Sequence, residues 1–154
     1  MLLACGYQLR GLQNGNVELA INSVYLSGGG QDGALVSLLR QRLRQLRVEQ
    51  VESSDAADVS LSIGSVSQSR RVLSVNNSAK VSEFELFYSV SYTLSVTNGE
   101  SKQRTASARR DITFNQNQVL AKAEEELQLY EDMRNDAANT ILRVLRRVDL
   151  SPAP

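Results

Sequence analysis

The amino-acid sequence predicts an α+β fold, with two helices packed on one face of an about four-stranded, largely antiparallel β-sheet. Three observations carry that expectation. Phe84, Leu86, Tyr88, Val90, Tyr92, Leu94 and Val96 form an unbroken period-two run, with Glu85, Phe87, Ser89, Ser91, Thr93, Ser95 and Thr97 between them. Such alternation is a long strand with one buried face. Asn98-Gly99 follows directly, and that dipeptide accepts the positive φ angles of a tight hairpin turn. Two other stretches, 35–46 and 119–148, repeat apolar residues at helical spacing, which makes each a helix with one buried stripe.

From the N-terminal side, Val17, Leu19, Ile21 and Tyr25 alternate with Glu18, Ala20 and Asn22, while Ser23 shares the apolar side. This is a half-buried strand. Ser27-Gly28-Gly29-Gly30 stops it, because consecutive glycines cost too much backbone entropy inside an element. Asp32 is placed to cap the first helix. There Leu35, Leu38, Leu39, Leu43 and Leu46 share a face, and Arg40, Arg42, Arg44 and Arg47 lie on or beside the other. The arginines gather toward the C-terminal end, where the helix dipole favours cations. They read as a solvated face in preference to an anion-binding patch. Val48–Val51 is a short extended piece, and 52–58 is a polar loop.

Val59, Leu61 and Ile63 begin a second strand, open to continuation through Val66 to Arg70-Arg71. Val72–Val75 renews the alternation before Asn76-Asn77-Ser78, which reads as a turn. After the long strand and its hairpin, a return strand over 103–114 places Ala106, Ala108, Ile112 and Phe114 inward. Arg110 shares that parity, so it must sit near an edge, snorkel, or pair with an acid. Asn115 and Gln118 have capping-box spacing before the last helix, with Asn117 as an alternative cap. Its apolar positions are Val119, Leu120, Ala123, Leu127, Tyr130, Ala137, Ile141, Leu145 and Val148. About thirty residues give a helix of roughly 45 Å. Ser151-Pro152-Ala153-Pro154 cannot continue it.

The 154 residues form one domain by size, over 17–150, with a short tether before it (1–16) and a tail after it (151–154). Seventeen basic and seventeen acidic residues balance, which argues against an electrostatic nucleic-acid binder. No run approaches the roughly 18 apolar residues of a membrane helix. Histidine is absent, which removes the commonest general base and metal ligand at neutral pH. No catalytic constellation is present, and no cofactor or metal site is expected. Gly28-Gly29-Gly30 precedes a helix but lacks the Lys-Ser/Thr of a phosphate loop.

Two features point to binding instead. Cys5 is the only cysteine, so it has no disulfide partner within the chain. Leu2-Leu3-Ala4-Cys5 is similar to the end of a bacterial lipoprotein signal, in which the thiol accepts the acyl group; the bland alternative is a free thiol on a flexible arm. The second feature is a set of basic residues. Arg70, Arg71 and Lys80 flank the Asn76-Asn77 turn, and Lys122 lies early in the last helix. A lysine there opposes the helix dipole unless an anion or an acidic side chain is near, and Glu125 and Glu126 at i+3 and i+4 are such side chains.

Cys5-Gly6-Tyr7-Gln8-Leu9-Arg10, Leu38-Leu39-Arg40-Gln41-Arg42-Leu43, Glu83-Phe84, Asn117-Gln118-Val119-Leu120-Ala121-Lys122 and Asp136-Ala137-Ala138-Asn139 together resemble the lipopolysaccharide-assembly lipoprotein family LptE. The resemblance implies an acyl-anchored outer-membrane lipoprotein, attached through Cys5. It implies a position largely inside the β-barrel of LptD as plug and assembly partner, and contact with lipopolysaccharide. Lys122 matches a lysine credited with lipopolysaccharide binding in the family. The family's second basic residue, an arginine before the long strand, is replaced by Asn76-Asn77-Ser78-Ala79-Lys80, so Lys80 or Arg70 and Arg71 would substitute. An alternative reading is a periplasmic adaptor lipoprotein of another envelope or secretion complex.

Overall fold

The computed structural model describes residues 21–150 except Gln31, Asn98 and Asp149. Cys5 and the tether therefore lie outside the described residues. Among the described residues, five strands form one sheet: β1 (Ser23–Gly28), β2 (Glu49–Val51), β3 (Val59–Val75), β4 (Val81–Val96) and β5 (Ser101–Thr113). The two helices are α1 (Gly33–Gln45) and α2 (Val119–Leu145). The order across the sheet is β2-β1-β3-β4-β5. The two long ladders, β3–β4 and β4–β5, are antiparallel, whereas β1 runs parallel to both β2 and β3.

The sheet therefore has one strand more than expected. The extended piece after α1 is β2, aligned beside β1 from Ser23↔Glu49 to Tyr25↔Val51. The connection β1-α1-β2 is a parallel crossover, which needs a helix-length return. What closes α1 explains how so short a strand reaches its place. Arg47 takes a positive φ of 59°, its amide donates to the Arg44 carbonyl, and the Val48 amide donates to the Leu43 carbonyl. That is a Schellman closure, formed here by arginine in the position usually held by glycine.

Alternation along β4 is kept. Leu86, Tyr88, Val90, Tyr92 and Leu94 are buried with Val59, Leu61 and Ile63 of β3 and Ala106 and Ile112 of β5. From α1, Leu35, Val36, Leu39 and Leu43 join this core, and from α2, Tyr130, Met133, Ala137, Ala138, Ile141, Leu142 and Leu145. Fully burying a side chain of this size contributes roughly 1.5–3 kcal/mol, so this cluster is the main source of stability.

Two glycines stand where a side chain would crowd the neighbouring strand. Gly28 has φ +81°, and a Cβ there would collide with the Ile63 carbonyl of the neighbouring strand. Gly64 sits where the β3–β4 register shifts between Ile63 and Val66. A Cβ at Gly64 would lie 2.6 Å from Ser91 Oγ, the atom that accepts the Ser65 amide at 2.9 Å. The irregularity lets β3 continue as one 17-residue strand, longer than the typical five or six residues.

The start of α2 departs from expectation. Asn115 Oδ1 accepts the Asn117 amide, and the Asn115 carbonyl accepts the Gln118 amide at 3.0 Å. These bonds fold 116–118 into a 3-10 turn. Gln118 is then the N-cap residue of α2 and makes no side-chain capping bond. Asn115 is used up closing the turn, so the capping box does not form. Asp32 does cap α1, accepting the Leu35 amide at 3.0 Å.

Candidate functional site

Beyond Leu86 the antiparallel ladders continue to Val75↔Val81 and Glu83↔Thr113. The buried part of α2, by contrast, begins only at Tyr130. The distal end of the sheet and the first three turns of α2 therefore form an end of the molecule outside the main core. Apolar side chains there are exposed: Val72, Leu73 and Val75 on β3, and Val119, Leu120 and Leu127 on α2, with Leu120 at 76%. Helical periodicity placed Val119, Leu120 and Leu127 on the same stripe as the core positions, but no described residue covers them. The stripe runs past the packed region because α2 extends farther than the core beneath it.

The basic residues singled out in the sequence are distributed around this end. Lys122 Nζ donates to Thr113 Oγ1 at 2.9 Å and to Glu125 Oε2 at 2.7 Å, with 18% of its side chain exposed. The i+3 glutamate thus supplies the local counter-charge. Glu126 is instead engaged by Arg70 at 2.9 Å, and the Arg70 guanidinium lies 4.8 Å from the centre of the Phe84 ring. Phe84 in turn meets Phe114 edge-to-face at 5.4 Å. Lys80, in the turn between β3 and β4, reaches Gln116 Oε1 at 3.5 Å. These contacts bring Arg70, Lys80 and Lys122 to one end of the molecule.

Arg71 follows Arg70 in the strand and so points to the opposite face. There it lies over the Phe87 ring at 5.0 Å and pairs with Glu85, donating through Nε at 2.6 Å. Arg109 approaches the other Glu85 oxygen at 4.0 Å. Around this group the face is lined by Ser89, Ser91, Thr93 and Ser95 of β4 and Ser60, Ser62, Ser67 and Ser69 of β3. Arg110 sits on the edge strand and pairs with Asp136 of α2, combining two of the outcomes its parity allowed.

A second polar centre was read only in part from the sequence. Asp32 is buried, and besides capping α1 it accepts the Tyr88 hydroxyl and Arg134 Nε, each at 2.9 Å. Burial alone would raise the Asp32 carboxyl. The hydrogen bonds from Arg134, Leu35 and Tyr88, together with the guanidinium charge, outweigh burial and hold it below the usual carboxylate range. Burial pushes the Tyr88 phenol upward, and the Asp32 carboxylate adds to that. This centre joins α1, β4 and α2. Among the described residues, no group of acidic, histidine or cysteine side chains is arranged to hold a metal.

This fold is shared by lipoproteins of known structure. The rare lipoprotein B of Shewanella oneidensis is 30% identical, with a TM-score of 0.75, over 80% of this chain and 93% of that one. Lipoprotein B of Nitrosomonas europaea is 30% identical, with a TM-score of 0.71, over 90% and 89% respectively. A minor lipoprotein of Acinetobacter baumannii, 20% identical, has the same fold at a TM-score of 0.67, over 83% and 92%. The sequence model of the lipopolysaccharide-assembly family LptE matches residues 19–145, and the chain belongs to that family.

Proposed function

We propose that this protein is a non-enzymatic outer-membrane lipoprotein that plugs an LptD-like β-barrel, assists its assembly and contacts lipopolysaccharide during export. The family match over residues 19–145 is the observation that carries this reading. Residues 17–150 act as one domain, tethered through an acylated Cys5. Several acyl chains on one cysteine anchor stably where a single chain binds only marginally. Both helices lie on the Tyr88 face of the sheet, which leaves the Ser/Thr face to meet the barrel wall. Small hydroxyl side chains allow that wall to approach closely.

Lipopolysaccharide carries phosphates beside acyl chains, and the distal end offers both complements. Lys122, Lys80 and Arg70 supply cations at the end that also carries exposed Val72, Val75 and Leu120. Arg71 lies on the opposite face, over the Phe87 ring and paired with Glu85. Charge-assisted contacts to phosphate are the strong ones, and the local acids Glu125 and Glu126 are pairings that a phosphate displaces. The test is binding of purified lipopolysaccharide to the wild type and to Lys80→Ala/Lys122→Ala. An affinity loss of about tenfold, about 1.4 kcal/mol, with an unchanged urea midpoint is expected. Equal affinity in the two proteins would remove this end as the binding site.

A further inference from the structure

The edge of β5 offers a site that the reading above does not use. β5 is the last strand of the sheet, and no described residue pairs with its outer edge. Its ladder with β4 runs unbroken from Glu83↔Thr113 to Ser95↔Ser101, without a bulge. Its sequence, Ser-Lys-Gln-Arg-Thr-Ala-Ser-Ala-Arg-Arg-Asp-Ile-Thr, contains neither glycine nor proline. A long edge without a bulge is a ready template for another strand. The opposite edge, β2, has only three residues and offers no comparable length.

The direction of the backbone groups follows from a single hydrogen bond. The Phe114 amide donates to the Ser82 carbonyl at 2.8 Å, one step beyond Glu83↔Thr113. In an antiparallel ladder, hydrogen-bonded and non-hydrogen-bonded pairs alternate. Even-numbered residues from Lys102 to Ile112 therefore bond toward β4. Gln103, Thr105, Ser107, Arg109 and Asp111 turn their N–H and C=O groups to the free edge.

Charge decides what can occupy that edge. The strand carries Lys102, Arg104, Arg109 and Arg110 against Asp111. Arg110 is committed to Asp136. Lys102 meets Glu100 at 3.2 Å, but both are largely exposed, and such pairs contribute little. Arg109 shares Glu85 with the closer Arg71. Arg104 has no acidic partner among the described residues. A second copy is disfavoured, because like charges directly opposite each other destabilise a sheet. In antiparallel self-pairing centred on Ala106 or Ser107, Arg110 falls opposite Lys102 or Arg104.

We propose that the free edge of β5 is a strand-addition site for an extended, acidic segment of a partner protein. Main-chain bonds from the five outward residues supply affinity, and the basic side chains select the sign of the partner. This rests on the edge alone and not on lipopolysaccharide binding.

The experiment is selection of a displayed random 12-residue peptide library on the whole protein, with Ser107→Pro as the counter-target. Proline at 107 removes an outward donor but no bond to β4, so an edge strand tolerates it. Far-UV circular dichroism and the urea midpoint check that it does. Enrichment of acidic sequences that slow amide exchange at Gln103, Thr105, Ser107, Arg109 and Asp111, and that fail on Ser107→Pro, supports the site. Lys102→Glu/Arg104→Glu is expected to reverse the charge preference. Failure of any sequence to enrich, enrichment of basic sequences, or binding indifferent to Ser107→Pro would overturn the proposal. So would slow exchange of those five amides in the protein alone, which would mean that the edge is already occupied. A Ser107→Pro-sensitive dimer in sedimentation would assign the edge to a second copy and equally overturn it.

Discussion

Asp32 ties both helices to the sheet through one carboxylate. Its carboxylate satisfies the Leu35 amide, the Tyr88 hydroxyl and Arg134 Nε at once. Removing it leaves a part-buried guanidinium without its carboxylate and α1 without its cap. Asp32→Ala is expected to cost about 3–5 kcal/mol, as for other broken buried ion pairs, measured by urea denaturation; a cost below about 1 kcal/mol would mean that water replaces the carboxylate freely. The pH dependence has a definite sign. The folded-state pKa of Asp32 is depressed from the ordinary 3.8. Its contribution is therefore fully present above that value and is lost as pH falls through the folded pKa. Tyr88 is shifted the other way, so its contribution holds below the ordinary phenol value of 10.0 and is lost as pH rises beyond it. Asp32→Asn should flatten the acid limb of the stability curve. Half of this centre was legible in the sequence. Asp32 announced itself as a cap before a leucine stripe, but nothing in local spacing points to Arg134, 102 residues away.

At the scale of elements, α2 is two structures in one. From Tyr130 onward it buries Met133, Ala137, Ala138, Ile141, Leu142 and Leu145, while Val119, Leu120 and Leu127 stay exposed. Ile141→Ala is expected to destabilise by about 2–5 kcal/mol, the range for buried large-to-small changes. Leu127→Ala should stay within about 0.5 kcal/mol, because it removes little buried surface. Comparable losses at both positions in denaturant unfolding would mean that the first half of α2 is packed in solution. Periodicity reveals an apolar stripe, but not where the surface that covers it ends. The same limit applies to β2. Val48–Val51 was legible as extended, yet its parallel alignment beside β1 is a tertiary fact set by the length of α1 and the Arg47 turn. The long ladder was the opposite case. Seven alternating apolar positions and Asn98-Gly99 are local signals, and β4 and β5 form where those signals place them, within three residues at each end.

For the whole molecule, sequence and fold meet in the family. The fragments that resemble LptE are spread from Cys5 to Asn139, and the family match spans 19–145. The geometry adds an arrangement that no linear motif displays, in which a hydroxyl-rich sheet face, a basic and apolar end, and a long basic edge occupy different sides of one sheet. Arg70 and Arg71 show why this was illegible. They are adjacent in sequence, yet their ion-pair partners, Glu126 and Glu85, lie on opposite sides of the strand.

The most direct test of the plug reading is detergent extraction of the full-length protein from its own envelope, followed by affinity capture and mass spectrometry. A stoichiometric large β-barrel protein and an N-terminal peptide acylated on Cys5 are expected. Capture of soluble partners alone, with Cys5 unmodified, would contradict it and make the protein an adaptor of some other envelope complex.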